Sequence, residues 1–253
     1  HAMTGTHDIT VLKLNGKFEY QWHTFYGGTE LNDGFALGLS GTTLVIAGDS
    51  DNGWNGPAGQ RPIRAHTGSS YEGVLIKLNL DGAYIWHTFH GIRSLFSNVY
   101  IDADQNIYAG GFSYEIWLGP AGQQPTHKPA TREFDNAAHL LKLNAAGAYQ
   151  WHAFFGGALG ANFLSIDGGP DGTLYVTGSS DDTWYGDGSI PPAHAFSGAS
   201  RDLTVVAVSD AGSYQWHTFY PSSEGWGLAY DAAAQRVLVT GRANTTWSGD
   251  AGQ

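Results

Sequence analysis

Residues 20–28 read YQWHTFYGG, and three close copies of this aromatic phrase follow along the chain. The copies centre on Trp22, Trp86, Trp151 and Trp216, which are spaced by 64, 65 and 65 residues. A fixed period of this length is typical of repeat proteins, in which each repeat is one supersecondary unit. The chain therefore consists of four copies of one repeat unit.

Each unit contains further apolar runs that predict strands. VLKLN at residues 11–15 precedes the first aromatic phrase, and LIKLN at 75–79 precedes the second. Between these two copies, residues 35–48 read FALGLSGTTLVIAG, which is two apolar runs on either side of a tight turn. Runs of this length with turn residues between them indicate β-strands. We name the strands of one unit a (before the GTT turn), b (LVIAG), c (VLKLN type) and d (WHTF), and predict no helix.

Four short strands per unit, repeated along the chain, predict an all-β fold in which small antiparallel sheets are arranged radially, that is, a β-propeller of four-stranded blades. The turns between strands c and d support meandering blades, because a hairpin turn needs a sharp reversal or a positive φ. The residues predicted for these turns are Gly16, Asp81-Gly82, Ala146-Gly147 and Ala211-Gly212.

The repeat is offset relative to the ends of the chain, which opens at strand c and closes just after strand b. WSGDAGQ at residues 247–253 matches WNGPAGQ at 54–60, and HAMTG at 1–5 resembles HAFSG at 194–198. We therefore predict one four-bladed domain over residues 1–253, whose last blade takes two strands from each terminus. The alternative is that the four units belong to a longer array or a wider ring.

The charge and the amino-acid composition indicate which classes of binding partner and binding site are disfavoured. The formal net charge is -11 with 12 Lys and Arg residues and no basic cluster, which disfavours nucleic acid because phosphate binding needs clustered cations. Cysteine is absent, which excludes thiolate metal sites, and no apolar run approaches the roughly 20 residues of a membrane-spanning helix. The chain starts at His1 within repeat-like sequence, so we expect a processed or excised form.

The third unit carries a family resemblance. LLKLNAAGAYQWHAFFGG at residues 140–157 and DGTLYVTGSS at 171–180 resemble the bacterial SBBP class of β-propeller repeats, and the resemblance extends over the whole chain. It implies a propeller in a bacterial protein that is secreted, periplasmic or on the cell surface. The class has no single activity. The units here are longer than its usual repeat, and there are four where the class name implies seven.

The loops between strands b and c are the candidate binding region. Each runs to about twenty residues, as in residues 52–73, whereas the a–b and c–d turns are tight. Long loops on a rigid scaffold concentrate binding residues, so we predict recognition of a surface polysaccharide or glycoprotein on the face formed by the b–c loops and d–a connections. The candidate ligand-binding residues are Trp54, Trp117, Trp184, Trp247, Arg61, Arg64, Arg93, His194 and Arg201.

The four loop tryptophans in this set admit two interpretations. Each indole can stack on the apolar face of a sugar ring, or it can hold its long loop against a neighbouring blade. The four histidines of the WHTF phrases also admit two interpretations: they are metal ligands or general bases, or they have a structural role in packing the blades. A residue present in every blade favours the scaffold role, because chemistry normally needs one asymmetric site. These histidines are His23, His87, His152 and His217.

A calcium site is the one cofactor that the sequence suggests. Four aspartates follow strand b on the loop-rich face and offer the oxygen ligands that Ca²⁺ prefers: Asp49, Asp51, Asp181 and Asp182.

Two other functions stay open. The protein can serve as a structural subunit of a surface or extracellular assembly, or act on glycans as a lyase or hydrolase. The sequence contains no G-x-S-x-G, no H-E-x-x-H and no glycine-rich phosphate loop. Catalysis is still possible, because a propeller enzyme can assemble its site from separate blades.

Overall fold

The computed structural model describes residues 1–68, 70–129 and 135–249. These residues form strands, one short 3₁₀ helix at Asp187–Ser189 and no α-helix. The strands are β1 (Ile9–Leu14), β2 (Tyr20–Tyr26), β3 (Asn32–Ser40), β4 (Thr43–Ser50), β5 (Glu72–Asn79), β6 (Tyr84–His90), β7 (Ser94–Ile101), β8 (Ile107–Ser113), β9 (Ala137–Leu143), β10 (Tyr149–Phe155), β11 (Ala161–Gly168), β12 (Leu174–Ser180), β13 (Asp202–Val208), β14 (Tyr214–Tyr220), β15 (Ser223–Asp231) and β16 (Arg236–Ala243).

The strands form antiparallel sheets that follow the predicted a-b-c-d order. Three sheets have four strands, in the orders β3-β4-β5-β6, β7-β8-β9-β10 and β11-β12-β13-β14. Two further sheets have two strands, β1-β2 and β15-β16. The all-β class and the repeated four-stranded sheets are confirmed, and such sheets are the building blocks of β-propellers.

The predicted fourth blade is not formed as a single sheet. Strands β1-β2 and β15-β16 belong to separate two-stranded sheets in the described part of the chain. The loop that would join them continues from Trp247 into residues 250–253, which lie outside the described residues. The count of four blades and the closure of a ring therefore stay predictions.

The c–d turns explain the glycines that the sequence places there. Gly82, Gly147 and Gly212 all have a φ of 80°, a left-handed conformation that favours glycine. Gly16 also lies in its predicted turn, but there Phe18 is the residue with a positive φ, of 63°. Asn15 stabilises this turn, because its side-chain oxygen accepts the backbone N–H groups of Lys17 and Glu19.

The structured chain divides into two compact units, residues 1–123 with 141–150, and residues 124–140 with 151–253. In the first unit, apolar side chains of the β1-β2 sheet pack against those of strands β4, β5 and β6. Ile9, Val11, Ile46 and Ile76 are at most 4% exposed in this core. Alternating and continuous apolar runs thus bury their side chains as predicted.

In the second unit, strands β12 and β13 supply a continuous apolar centre. Val176, Val206 and Phe219 are at most 1% exposed. The indole N–H of Trp151 donates a hydrogen bond to the carbonyl of Asp210, with the nitrogen and oxygen 2.8 Å apart. The aromatic phrase of this repeat is therefore fixed to the following c–d turn.

The long b–c loops are more ordered than the sequence suggests. In the first unit, a return segment at Ile63–Arg64 runs beside strand β6, where Ile63 N–H donates to His87 and Arg64 accepts from Phe89. In the second unit, Ala193 and His194 make the same two bonds with strand β14. Each return segment covers the outer edge of a d strand, which would otherwise leave backbone groups unpaired.

Candidate functional site

The WHTF histidines and the loop tryptophans form stacked pairs inside the repeats. The rings of Trp54 and His87 lie 3.9 Å apart and nearly parallel, and those of Trp184 and His217 lie 3.6 Å apart. His87 Nε2 donates to the Trp54 carbonyl, and the Tyr84 hydroxyl donates to His87 Nδ1. Both ring nitrogens are therefore occupied by neutral partners, which is the arrangement of a scaffold histidine.

Burial keeps these histidines uncharged. It lowers the pKa of His87 to about 4, against an ordinary value of 6.5, and does the same for His217. Both side chains are fully buried, as is His152, whereas His23 at the same repeat position is exposed. The geometry of the two stacked histidines favours the scaffold interpretation over metal binding or base catalysis.

The loop tryptophans differ in exposure. Trp117 and Trp184 are 5% and 3% exposed and Trp54 is half-buried, so none of the three presents an open ring face of the kind a sugar needs. Trp247 is 43% exposed and lies 5.1 Å from Tyr220, measured between ring centroids. Burial therefore favours the packing role for the first three and leaves Trp247 accessible.

A β-bulge near the start of strand a is a further feature of the repeats. The pairing register shifts between Gly34 and Ala36, between Phe96 and Asn98, between Phe163 and Ser165, and between Gly225 and Gly227. A bulge inserts one extra residue and re-aims its side chain. The inserted residues differ in every repeat, being Phe35, Ser97, Leu164 and Trp226.

Trp226 is 51% exposed and held in place by charged neighbours. Its indole N–H donates to Glu224 Oε2 at 3.1 Å, and the Arg242 guanidinium carbon lies 5.7 Å from the ring centroid. Arg201 bonds to Glu224 at 2.8 Å and also pairs with Asp181. The result is an exposed indole whose orientation is set by an ion-pair network, which we call the Trp226 platform (Asp181, Arg201, Glu224, Trp226 and Arg242).

Electrostatics hold the platform in its charged form. The bond from Arg201 is the main cause that keeps the pKa of Glu224 below its ordinary value, and the Trp226 N–H and Arg242 act in the same direction. Bonds to Asp181 and Glu224 raise the pKa of Arg201. The ion pairs therefore persist at neutral pH, although their partial exposure limits what each contributes to stability.

The platform lies where the sequence predicted a site. Asp181 directly follows strand β12 and Arg201 directly precedes β13, so both lie where the b–c loop of the second unit leaves and rejoins its sheet. Glu224 is the second residue of strand β15, next to the d–a connection, and Arg242 lies near the end of β16. Of the predicted ligand-binding residues, Arg201 is thus the one that belongs to the Trp226 platform, through its bond to Glu224.

Four other predicted residues are elsewhere. In the first unit, Arg64 pairs with the buried Glu72 at 3.4 Å, and Arg61 is exposed. Arg93 lies over the ring of Tyr114 at 5.0 Å and has a positive φ of 50°. In the second unit, His194 Nδ1 lies 3.1 Å from the hydroxyl of Thr218.

The predicted calcium ligands do not gather into a site in the described part of the chain. Asp181 is bound by Arg201, and Asp182 accepts a bond from the Ala158 N–H at 2.7 Å. Burial and the nearby Asp33 and Asp51 raise the pKa of Asp49 to about 7. Within residues 1–68, 70–129 and 135–249, no three His, Asp or Glu side chains are grouped closely enough to hold a metal ion.

Sequence reasoning missed Trp226, although a signal was present. Eight of the nine tryptophans belong to the two repeated phrases, and Trp226 is the ninth. A ligand site has to break the symmetry of the repeat, so the one tryptophan outside the repeat is the candidate to consider first.

Comparisons with known proteins bear on the fold. No protein-family model matches the chain, so the resemblance to SBBP repeats stays a prediction, and no curated protein matches it. The described residues include no helix long and apolar enough to cross a membrane. A crystal structure of a protein of unknown function from Bacteroides caccae is similar, with a TM-score of 0.50 and 12% sequence identity. The alignment covers 94% of this chain and 62% of that one, and at this identity it shows a shared fold alone.

Proposed function

We propose that the protein is an extracytoplasmic binding module that recognises sugar residues of a surface polysaccharide or glycoprotein through the Trp226 platform. The observation that carries the proposal is the exposed indole held between Glu224 and Arg242. An aromatic ring with a polar edge suits a ligand that has one apolar face and a rim of hydroxyl groups. A fixed ring also loses little conformational entropy when the ligand binds.

The charged neighbours supply the polar half of such a site. The guanidinium groups of Arg201 and Arg242 carry several N–H donors, and Glu224 supplies acceptor oxygens, so sugar hydroxyls can both donate and accept. Arg201 and Glu224 are 44% and 15% exposed, which leaves part of the network in contact with solvent. Because Arg201 and Glu224 hold each other in place, we expect the site to select among glycans rather than to bind all of them.

Trp226→Ala tests this proposal on a glycan array. We expect the native chain to bind a related set of glycans and the variant to lose about 2 kcal/mol, which is roughly 30-fold in Kd. The melting temperature should change little, because the ring is half-exposed. The array is run with calcium and again with chelator, and we expect the same binding in both.

The matched control is Phe18→Ala, which removes an aromatic ring that is 86% exposed in a c–d turn. This variant should keep native glycan binding. Equal loss in both variants, undiminished binding by Trp226→Ala, or a blank array for the native chain would each contradict a sugar site at the platform.

We further propose that the repeats complete a four-bladed propeller of the SBBP type, with a fourth blade made from β15-β16 and β1-β2. The amino-terminal residues support this, because His1 takes the place of a return segment. Its amino group donates to the Thr24 hydroxyl at 2.9 Å, as the backbone N–H of His194 does to Thr218 at 3.2 Å. Trp247 and His23 are exposed, whereas their counterparts stack as Trp54 on His87 and as Trp184 on His217.

A second candidate function is a structural subunit of a surface assembly. The favouring observation is an apolar surface on strand β3 of the first unit, where Leu37 and Leu39, two residues apart and on the same face of the strand, are 54% and 64% exposed. Clustered apolar side chains on the surface often mark contacts between proteins. The same side chains would be covered if β1 joined a fourth blade, so the two explanations make opposite predictions about the oligomeric state.

A further inference from the structure

The first unit contains a pocket of about 250 Å³ that is separate from the Trp226 platform. The return segment forms one wall with Ile63 and Arg64, and strand β6 contributes Thr88 and His90. The rest of the lining includes Gln123 and Tyr149. This volume lies below the roughly 300–1,000 Å³ of pockets for drug-sized ligands, so it suits one small chemical group.

Arg64 leaves part of its guanidinium without a partner. Its Nη1 donates to the Phe89 carbonyl at 2.8 Å and lies 3.4 Å from the carboxylate of Glu72. No described residue accepts a hydrogen bond from Nε or Nη2. The side chain is 21% exposed, so these donors face solvent at the mouth of the pocket and are accessible to a ligand. A guanidinium edge with two adjacent N–H groups matches the two oxygens of a carboxylate.

Gln123 supplies a second unused donor in the same pocket. Its Oε1 accepts the backbone N–H of Ala121 at 2.9 Å, which fixes the amide, and its Nε2 has no partner among the described residues. The acceptors near the pocket are engaged. The Thr88 hydroxyl accepts the Arg64 backbone N–H and bonds to His90, and Glu72 is held by Arg64 and Thr67.

We propose that this pocket binds the carboxylate of a small ligand, such as a uronic acid residue, between Arg64 and Gln123. A carboxylate is an acceptor only, whereas a neutral hydroxyl also brings a donor for which the pocket has few open acceptors. The opposing effect is the negative charge of Glu72, which Arg64 and two bonds from Thr67 already compensate. The site is independent of the Trp226 platform, and either can fail without the other.

The test is a titration of the ¹⁵N-labelled intact chain with sodium glucuronate and, in parallel, with glucose. We expect glucuronate to shift the amide signals of residues 63–64, 88–90 and 121–123, and glucose to leave them unchanged. Arg64→Lys keeps a cation beside Glu72 but loses the fork, and Gln123→Glu keeps the bond to Ala121 while replacing the amide donors with a carboxylate. Each variant should weaken glucuronate binding at least about tenfold.

Arg61→Lys is the matched control, because Arg61 is exposed on the same loop and does not line the pocket. It should bind glucuronate as the native chain does. The proposal is overturned if glucuronate causes no shift at the pocket, if glucose shifts the same signals equally, or if Gln123→Glu binds with native affinity. Trp226→Ala should leave this titration unchanged, which separates the pocket from the glycan platform.

Discussion

Trp184→Ala is expected to lower the free energy of unfolding by about 3–5 kcal/mol, the usual range for removing a buried tryptophan. Trp184 is 3% exposed and contacts three aromatic residues of strand β14. Its ring stacks on His217 at 3.6 Å and meets Tyr214 and Phe219 edge-on at about 6 Å. Without the indole, the long b–c loop loses the contact that holds it to its sheet.

Urea denaturation and thermal unfolding measure this effect, and the melting temperature should fall on the order of 10 °C. Tyr185→Ala is the matched control, because Tyr185 is the neighbouring residue and is 54% exposed. Its stability should stay within about 0.5 kcal/mol of native. A small loss for Trp184→Ala, comparable to that of the control, would contradict the structural role of the loop tryptophans.

Protonation of two buried histidines is expected to destabilise the fold by a few kcal/mol between pH 7 and pH 5, while the raised pKa of Asp49, about 7, acts in the opposite direction. The folded pKa of His87 and of His217 is about 4, below the ordinary value of 6.5. Since the folded pKa is the lower one, each histidine is protonated more readily in the unfolded chain. Stability is therefore complete above pH 6.5 and is lost as the pH falls towards 4. Each histidine accounts for about 2 kcal/mol at pH 5.

The check is the free energy of unfolding measured by urea at several pH values. His217→Gln should remove about 2 kcal/mol of the stability that the native chain loses between pH 7 and pH 5, whatever it does to stability at pH 7. His23→Gln is the control, because His23 holds the same repeat position but is exposed. A His217→Gln variant whose stability falls between pH 7 and pH 5 as much as that of the native chain would show that His217 does not stay neutral as described.

The sequence predicted the strands because the repeat supplied four versions of each pattern. The apolar runs VLKLN and LIKLN became strands β1 and β5, and the glycines of three c–d turns adopted the expected positive φ. The first turn has the same geometry as the others, with Phe18 at the positive-φ position that Gly82 and Gly147 occupy in the later turns. The repeated asparagine of the KLN phrase stabilises these turns, since Asn15 accepts two backbone N–H groups as Asn79 does.

The candidate site was predicted in part. Arg201 and the loop-rich face were identified from loop length and charge. Trp226 was not, because its exposure follows from a β-bulge, and a single inserted residue is not visible in an alternating pattern. The return segments were missed for a similar reason, since two backbone bonds per loop fix Ile63–Arg64 and Ala193–His194 without any apolar periodicity.

A pair of engineered cysteines tests the four-bladed architecture most directly. Strands β4 and β5 place Ile46 opposite Ile76. Val239 holds the same repeat position as Ile46, because it pairs with Leu228 as Ile46 pairs with Leu37. Leu12 holds the same repeat position as Ile76, because it pairs with His23 as Ile76 pairs with His87. A closed fourth blade would therefore bring Val239 and Leu12 to adjacent positions, within the usual reach of a disulfide.

The native chain has no cysteine, so Leu12→Cys combined with Val239→Cys introduces a single possible bridge. We expect oxidation to give a disulfide-bonded monomer, identified by its mass and by a linked peptide after digestion. Leu12→Cys combined with Arg236→Cys, three residues away along β16, should not form it efficiently. Disulfide-linked dimers, or a reduced monomer that resists oxidation, would contradict closure within one chain.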